Sequence, residues 1–328
     1  MNAVSITDTV VTHLVERGLI SDDTDVTISA LTGGVSNEVL AVTGPGVDLV
    51  VKRALGQLRT SELWEADTAR LLTEGRALRA ARAIHPKSAP AVVDLTPQFL
   101  VIERAPIQWK TWKEALLDGV IDVGVAARLG EFLATLQRDS ASGAIPTTDF
   151  SSRLAFEQLR VDPFHRQIAE RHPDLRPVID QTIDVMASSK SCLVHGDYTP
   201  KNIMVGESPD DVWVIDWEVA HVGDPTFDPA WIIGHLLLKS VHRPEMARAY
   251  CNAAATFVDS HSGVDDAPNL DHDQLIRQLG CLLLARVDGR SPVEYLSRPA
   301  QHVVRQLGRE VLQTPPDTIL DIWKALHD

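Results

Sequence analysis

The 328-residue chain carries 31 Lys and Arg against 45 Asp and Glu, a formal net charge of −14, with 44% hydrophobic and 23% charged residues. That length supports one large domain or two smaller ones with a sizeable core, and the composition is that of an ordinary globular protein. The acidic balance argues against nucleic acid and anionic membrane surfaces as partners, since both require a basic patch. It suits a cationic small molecule, although a charge that merely keeps the chain soluble has the same sign.

The three cysteines, Cys192, Cys251 and Cys281, lie far apart without CxxC spacing, so neither a zinc site nor a disulfide frame is expected. No basic stretch followed by an apolar run marks a signal peptide. Apolar runs such as Trp231 to Leu238 fall far short of the ~20 residues that span a bilayer. A cytoplasmic protein is expected; the oligomeric state is left open.

In chain order, residues 4–18 have the spacing of an amphipathic helix. Val26 to Leu31 and Glu38 to Thr43 read as two strands about Gly33-Gly34. After the turn Gly44-Pro45-Gly46, Asp48 to Arg53 reads as a third strand. Residues 61–83 read as a helix ending at His85-Pro86. Val92 to Leu95 and Phe99 to Glu103 are two further strands. Helical patterns then cover 110–118, 122–139, 151–160 and 174–189, followed by short strands at 192–194, 203–205 and 212–215 and a return to helices after Phe227. The expected architecture is α+β in two lobes: a β-rich lobe over 1–103 with one inserted helix, and a larger α-rich lobe over 104–328. Through Glu103 there are 9 basic and 13 acidic residues, so the larger lobe carries −10 of the −14.

The chemistry-bearing segment is Leu193 to Val205, in which apolar strands flank a polar loop holding His195, Asp197 and Asn202. A second apolar strand, Val212 to Ile215, ends in Asp216. Two neighbouring strands that deliver Asp, Asn and Asp to one rim suit phosphoryl transfer. The moving phosphoryl spreads negative charge over its oxygens and needs a cation. Magnesium takes hard oxygen ligands, which Asn202 and Asp216 can supply. A further carboxylate must orient the attacking hydroxyl and accept its proton, a role expected of Asp197.

His195-Gly196-Asp197 with Asn202 resembles the catalytic loop of the aminoglycoside phosphotransferase and choline kinase group, which shares the protein-kinase-like fold. Ile215 to Glu218 is similar to that group's metal-binding segment, and Gly223-Asp224-Pro225 with Asp228 to the motif that follows it. The resemblance implies ATP and Mg2+, with Asp197 as base and Asn202 and Asp216 on the metal. It further implies that Leu31 to Glu38, with Gly33, Gly34, Ser36 and Asn37, covers the ATP phosphates, where glycines admit the backbone closely. Lys52 matches the strand lysine that contacts phosphates; Arg53 next to it points to the opposite face. Glu74 is the expected partner of Lys52, with Glu62 and Glu65 as competitors. The backbone from Glu103 to Ala105 matches the adenine hinge.

Other residues have plainer expectations. His195 is expected to hold the loop by hydrogen bonding to backbone. Asp224 could start a turn and Asp228 could cap the helix after it, though the resemblance places one of them toward the site. Trp109, Trp112 and Trp231 are expected in the core before a pocket wall. The short interval between Asp216 and Asp228 leaves no segment to dock a polypeptide, so the acceptor is expected to be a small hydroxylated molecule. An aminoglycoside, an amino alcohol and a sugar of the methylthioribose type all remain open. A non-catalytic nucleotide-binding protein is the reading from another class; the presence of Lys52, Asp197, Asn202 and Asp216 argues against it.

Overall fold

The structure, a computed structural model, describes residues 6–31, 36–59 and 64–326. The N-terminal part is a five-stranded antiparallel sheet in the order β1-β2-β3-β5-β4. Its strands are β1 (Thr27–Ala30), β2 (Asn37–Gly44), β3 (Val47–Ala54), β4 (Val92–Leu95) and β5 (Leu100–Glu103). Gly46, at φ +75°, makes the tight β2–β3 turn, a conformation that side chains with a Cβ disfavour.

The period of two along these strands sorts side chains between two layers. Val51 and Val101 face helix α1 (Ile6–Glu16) and join Val10 and Leu14 in a small cluster. Val50, Leu100 and Ile102 face helix α2 (Arg70–Ile84) and join the main core with Leu71, Ala77 and Leu78. Lys52 has the parity of Val50 and therefore lies on the α2 side. Arg53 takes the other face and pairs with Glu38 at 2.8 Å.

Helix α2 begins later than its pattern suggests, at Arg70 rather than near residue 61. Asp67 turns the chain first, its Oδ1 accepting the Ala69 N–H at 2.9 Å. Such a local side-chain bond competes with helix.

The rest of the chain is mostly helical. β6 (Lys110–Thr111) leads into α3 (Trp112–Leu117), started by a Thr111–Glu114 capping box. Helix α4 (Val123–Ala141) follows. The segment expected as helix over 151–160 is three continuous pieces: α5 (Leu154–Phe156), a π-helical stretch Glu157–Arg166, and α6 (Gln167–Arg171). Pro163 lies inside that stretch and has no N–H for a regular ladder. After α7 (Arg176–Ser188), four short strands carry the polar loops: β7 (Cys192–Val194), β8 (Ile203–Val205), β9 (Val212–Val214) and β10 (His221–Gly223). β7 pairs with β10, while β6, β8 and β9 form a second small sheet. Helices α8 (Phe227–His242), α9 (Ala247–Ser262), α10 (His272–Asp288), α11 (Arg298–Gln313) and α12 (Ile319–Ala325) complete the chain. Gly130 lets α4 press on α9; a Cβ there would sit 2.3 Å from the Phe257 carbonyl oxygen. The main core runs unbroken from α2 and the sheet into these helices. Among the described residues, no helix is long and apolar enough to cross a membrane.

Candidate active site

The buried face of β3 delivers Lys52 to the interior, where its Nζ lies 2.5 Å from Glu74 Oε1 and 3.4 Å from Asp216 Oδ1. Burial opposes the ammonium charge, but the Glu74 and Asp216 carboxylates outweigh it and hold the lysine well above its ordinary range. Glu74 is fully buried on α2, one helical turn from Arg70. Of its competitors, Glu65 makes an isolated bridge with Gln57, and Glu62 lies outside the described residues.

Across the cleft, the loop between β7 and β8 is organised from beneath. Gly196 takes φ +80°, and a Cβ there would meet the Val219 carbonyl at 2.9 Å. His195 accepts the Asp197 N–H at Nδ1 (3.0 Å), which leaves Nε2–H to donate to the Ile215 carbonyl (3.0 Å). Burial lowers this imidazole to about 4, so it is neutral at pH 7. His195 thus ties the loop to the strand that ends in Asp216.

Asp228 does not cap its helix. The N-cap of α8 is Thr226, whose side chain makes no capping bond. Asp228 instead reaches back and accepts the His195 and Gly196 N–H groups, at 2.7 and 2.9 Å. Burial raises its carboxyl to about 7 despite those donors. Asp224 does start a turn, accepting the Thr226 N–H and hydroxyl, and also receives Gln274 Nε2 at 3.0 Å.

Asp197 is 2% exposed. Three donors converge on its Oδ2: Arg160 Nη2 at 2.6 Å, Asn202 Nδ2 at 2.7 Å and Lys201 Nζ at 3.0 Å. Its Oδ1 accepts no hydrogen bond from the described residues. Burial pushes the carboxyl up, but Arg160 and then Lys201 outweigh it and hold it near 2, so Asp197 is ionised at neutral pH.

Asn202 spends its Nδ2 on the Asp197 carbonyl and carboxylate, which leaves its side-chain oxygen free. Asp216 sits at φ +66°, a strained conformation for a residue with a side chain. Its carboxylate is 22% exposed toward the cleft. Burial raises it, yet the Lys52 charge and then Lys201 hold it below the usual range. Two hard oxygens with unused lone pairs fit a magnesium ion. Among the described residues no group of three or more His, Cys, Asp or Glu forms a preassembled cage. A metal here would therefore take its other ligands from water and phosphate, as magnesium commonly does.

Gly33 and Gly34 lie outside the described residues. Ser36 and Asn37, which follow them, are anchored: Ser36 Oγ donates to Glu218 Oε1 at 2.7 Å and Asn37 Nδ2 to Glu218 Oε2 at 2.9 Å. Glu218 is in turn held by Arg70 Nε at 2.9 Å. Arg70 Nη2 also takes the Ser36 and Leu55 carbonyls. Of the segment expected to act as the adenine hinge, the Glu103 N–H is committed to the Ala91 carbonyl at 2.9 Å. Ala105 makes no backbone hydrogen bond to described residues, so it, rather than Glu103, has an N–H to offer a base.

Of the three tryptophans, Trp112 and Trp231 are buried, and half-buried Trp109 packs edge-on against Trp213 at 5.2 Å. Sequence reasoning passed over Arg160, Lys201, Arg70 and Glu218. Three of these left a signal: Lys201 adjoins Asn202, Glu218 follows Asp216 by two, and Arg70 shares a helix face with Glu74 at i−4. Arg160 left none, because its direction depends on the π-helical stretch that carries it.

Residues 27–265 match the Phosphotransferase enzyme family (APH). Methylthioribose kinase of Bacillus mycoides (strain KBAB4) is 24% identical over 278 residues, covering 76% of this chain and 70% of the relative. In fold, the chain is similar to a choline/ethanolamine kinase family protein from Mesorhizobium loti (TM-score 0.53, 16% identity, 98% of this chain and 92% of the other). It is likewise similar to APH(2")-IIia in its GDP and kanamycin complex (TM-score 0.56, 16% identity, 94% and 99%). The two-lobed fold is that of the protein-kinase-like small-molecule kinases, and the chain belongs to the phosphotransferase enzyme family.

Proposed function

We propose that the protein transfers the γ-phosphoryl of ATP to a hydroxyl of a small molecule in a magnesium-dependent reaction. The observation that carries this reading is the position of Lys52 between Glu74 and Asp216, which joins β3 and α2 to the rim of the catalytic loop. Lys52 binds the α- and β-phosphates, and Glu74 fixes its ammonium. Ser36 and Asn37, anchored through Glu218, face the phosphates, and Ala105 offers backbone to the base. Asn202 and Asp216 hold magnesium, which supplies charge neutralisation on the phosphate oxygens.

Asp197 orients the acceptor hydroxyl with its free Oδ1. The hydroxyl oxygen forms a bond to the γ-phosphorus as the bond from that phosphorus to the β–γ bridging oxygen breaks, and ADP leaves. The hydroxyl proton passes to Asp197 and then to solvent. Because Asp197 is a weak base near 2, it acts late, when the hydroxyl proton has become acidic.

The test is magnesium-dependent ADP release with a panel of aminoglycosides, amino alcohols and pentoses, in the wild type and in Asp197→Ala. Turnover that vanishes in the variant while ATP affinity stays within a few-fold supports the assignment; full activity in the variant refutes it. Methylthioribose kinase among the relatives makes a pentose the second acceptor to try. ATP binding with no acceptor phosphorylated would favour a binding protein without catalysis.

A further inference from the structure

One stripe of α8 runs outward from the catalytic loop. Asp228 at its start holds the His195 and Gly196 amides. Trp231 lies beneath the Arg160 guanidinium, 5.8 Å from its ring centroid. His235 and Lys239 follow at steps of four residues and so share that face. From Trp231 to Lys239 is about 12 Å along the helix axis.

The polar groups on this stripe lack partners of opposite charge. Lys239 is 1% exposed. No carboxylate of the described residues pairs with it; its ammonium has only a 3.5 Å contact to the His235 carbonyl and the Tyr295 ring at 5.5 Å. A buried amine without a counter-ion gives up part of its charge, and an incoming anion would restore it. Arg286 of α10 lies over the Phe164 ring at 5.9 Å, and Phe164 packs on Trp231 at 4.9 Å. Its Nη1 donates to Ser291 Oγ, while its buried Nε has no acceptor. The Trp231 indole N–H and the Tyr295 hydroxyl are also buried and unpartnered. The His235 ring makes no hydrogen bond to described residues.

Around His235 and Lys239 the neighbouring charges are mostly cations. Burial lowers the His235 imidazole, and after burial its perturbing charges are Arg286, Lys239, Lys201 and Lys113, all cations. Burial, then Lys113 and Arg286, bring Lys239 down to about 7. The one carboxylate acting on it, Glu294, is already paired with Lys113. The Arg160 guanidinium that lies over Trp231 also reaches Asp197 Oδ2 at 2.6 Å, so the inner end of the stripe adjoins the reacting end of the cleft.

We infer that this stripe seats the far end of the acceptor, and that the acceptor is an anion: a hydroxylated molecule bearing a carboxylate or phosphate, held by Lys239 and Arg286 while its hydroxyl meets Asp197. The inference rests on the phosphotransfer reading for its hydroxyl end only. An acceptor-only group supplies what these donors lack, in charge-assisted bonds that are stronger than neutral ones. The −14 charge of the chain lies elsewhere; locally the sign reverses, and a cationic aminoglycoside or amino alcohol would meet like charge.

The test uses acceptor pairs matched except for the anion: ribose with ribose 5-phosphate, and a 4-hydroxy acid with its amide, with kanamycin and choline as cations. These arms also separate phosphate from carboxylate. The expected result is kcat/KM at least 10-fold higher for an anionic member. Lys239→Met and Arg286→Met should erase that preference by raising acceptor KM, with ATP KM within about 2-fold. In parallel, malonate or inorganic phosphate, added to protein saturated with ADP and magnesium, should raise the melting temperature of the wild type and of neither variant. Equal or better use of neutral or cationic partners, untouched by Lys239→Met, overturns the inference and leaves the kinase reading standing. Anion binding lost in both variants, with no acceptor phosphorylated, supports the anion site and counts against phosphotransfer instead. Absence of both anion binding and anionic turnover overturns the inference.

Discussion

Arg160 Nη2 stands 2.6 Å from Asp197 Oδ2, and its Nε donates to the Gly196 carbonyl at 3.1 Å. One guanidinium thus fixes both the proposed base and the turn that presents it, and leaves Asp197 Oδ1 without a hydrogen bond from the described residues.

Replacing Arg160 with Met removes the strongest influence holding the Asp197 carboxyl near 2, and burial then acts against fewer opposing charges. The base pKa should rise, so the acid limb of the kcat/KM profile should move to higher pH, together with a fall in kcat. Asp197→Asn should lower kcat by about 10²- to 10⁴-fold, the range for loss of a positioned base. A pH–rate profile of the Arg160 variant that overlays the wild type would show that Arg160 does not act on Asp197.

Lys52 and Glu74 should behave as a unit toward nucleotide. Lys52→Met and Glu74→Gln should each weaken ATP binding, and the double variant should be little worse than the poorer single one. The coupling should be about 1–3 kcal/mol, typical of groups in direct contact. Calorimetric ATP affinities of the four proteins decide it; simple additivity would mean that Glu74 does not act through Lys52.

The Arg70–Glu218 pair should matter mainly for folding. Both side chains are almost fully buried, and Glu218 also holds Ser36 and Asn37. Glu218→Ala leaves the guanidinium buried and unpaired and should cost about 3–5 kcal/mol. Urea unfolding measures this directly, and a loss below 1 kcal/mol would place the anchoring of the 36–37 segment elsewhere.

Acid should destabilise the fold before ordinary carboxylates titrate. Burial lowers His165, His195 and His261 to about 4, His221 to about 3, and His235 well below its ordinary value. Between those values and 6.5 the unfolded chain binds protons that the folded chain refuses, so stability falls as pH drops through that window. Asp228 and Glu74, both raised to about 7 by burial, act in the opposite sense between their unfolded values and 7. The imidazoles outnumber them, which leaves a net slope near pH 5 on the order of 4 kcal/mol per pH unit. Unfolding free energies at pH 7, 6 and 5 test this; a flat profile would contradict the buried neutral imidazoles.

Much of the site was legible locally. Strand parity separated Lys52 from Arg53, since successive side chains face opposite sides of a pleat. The ordered spacing of Asp197, Asn202 and Asp216 reflected two short strands that share a rim. Other features resisted local reading. Helix α2 starts at Arg70 because Asp67 bonds backbone that a helix would need, and Asp228 turns from its own helix to a loop more than thirty residues earlier.

By itself, then, the sequence determined the reaction-bearing loop, the strand that carries Lys52 and the two-lobed α+β plan, because these depend on spacings of two to five residues that backbone geometry converts directly into position. Only the tertiary structure decided that Arg160, from a π-helical stretch, holds Asp197, that Arg70 reaches across to Glu218, and that Lys239 and Arg286 come together without a carboxylate partner in a protein of net charge −14. Those relationships join residues distant in the chain, and the local field depends on which charges packing brings together and buries, a quantity that no count of charges along the chain contains.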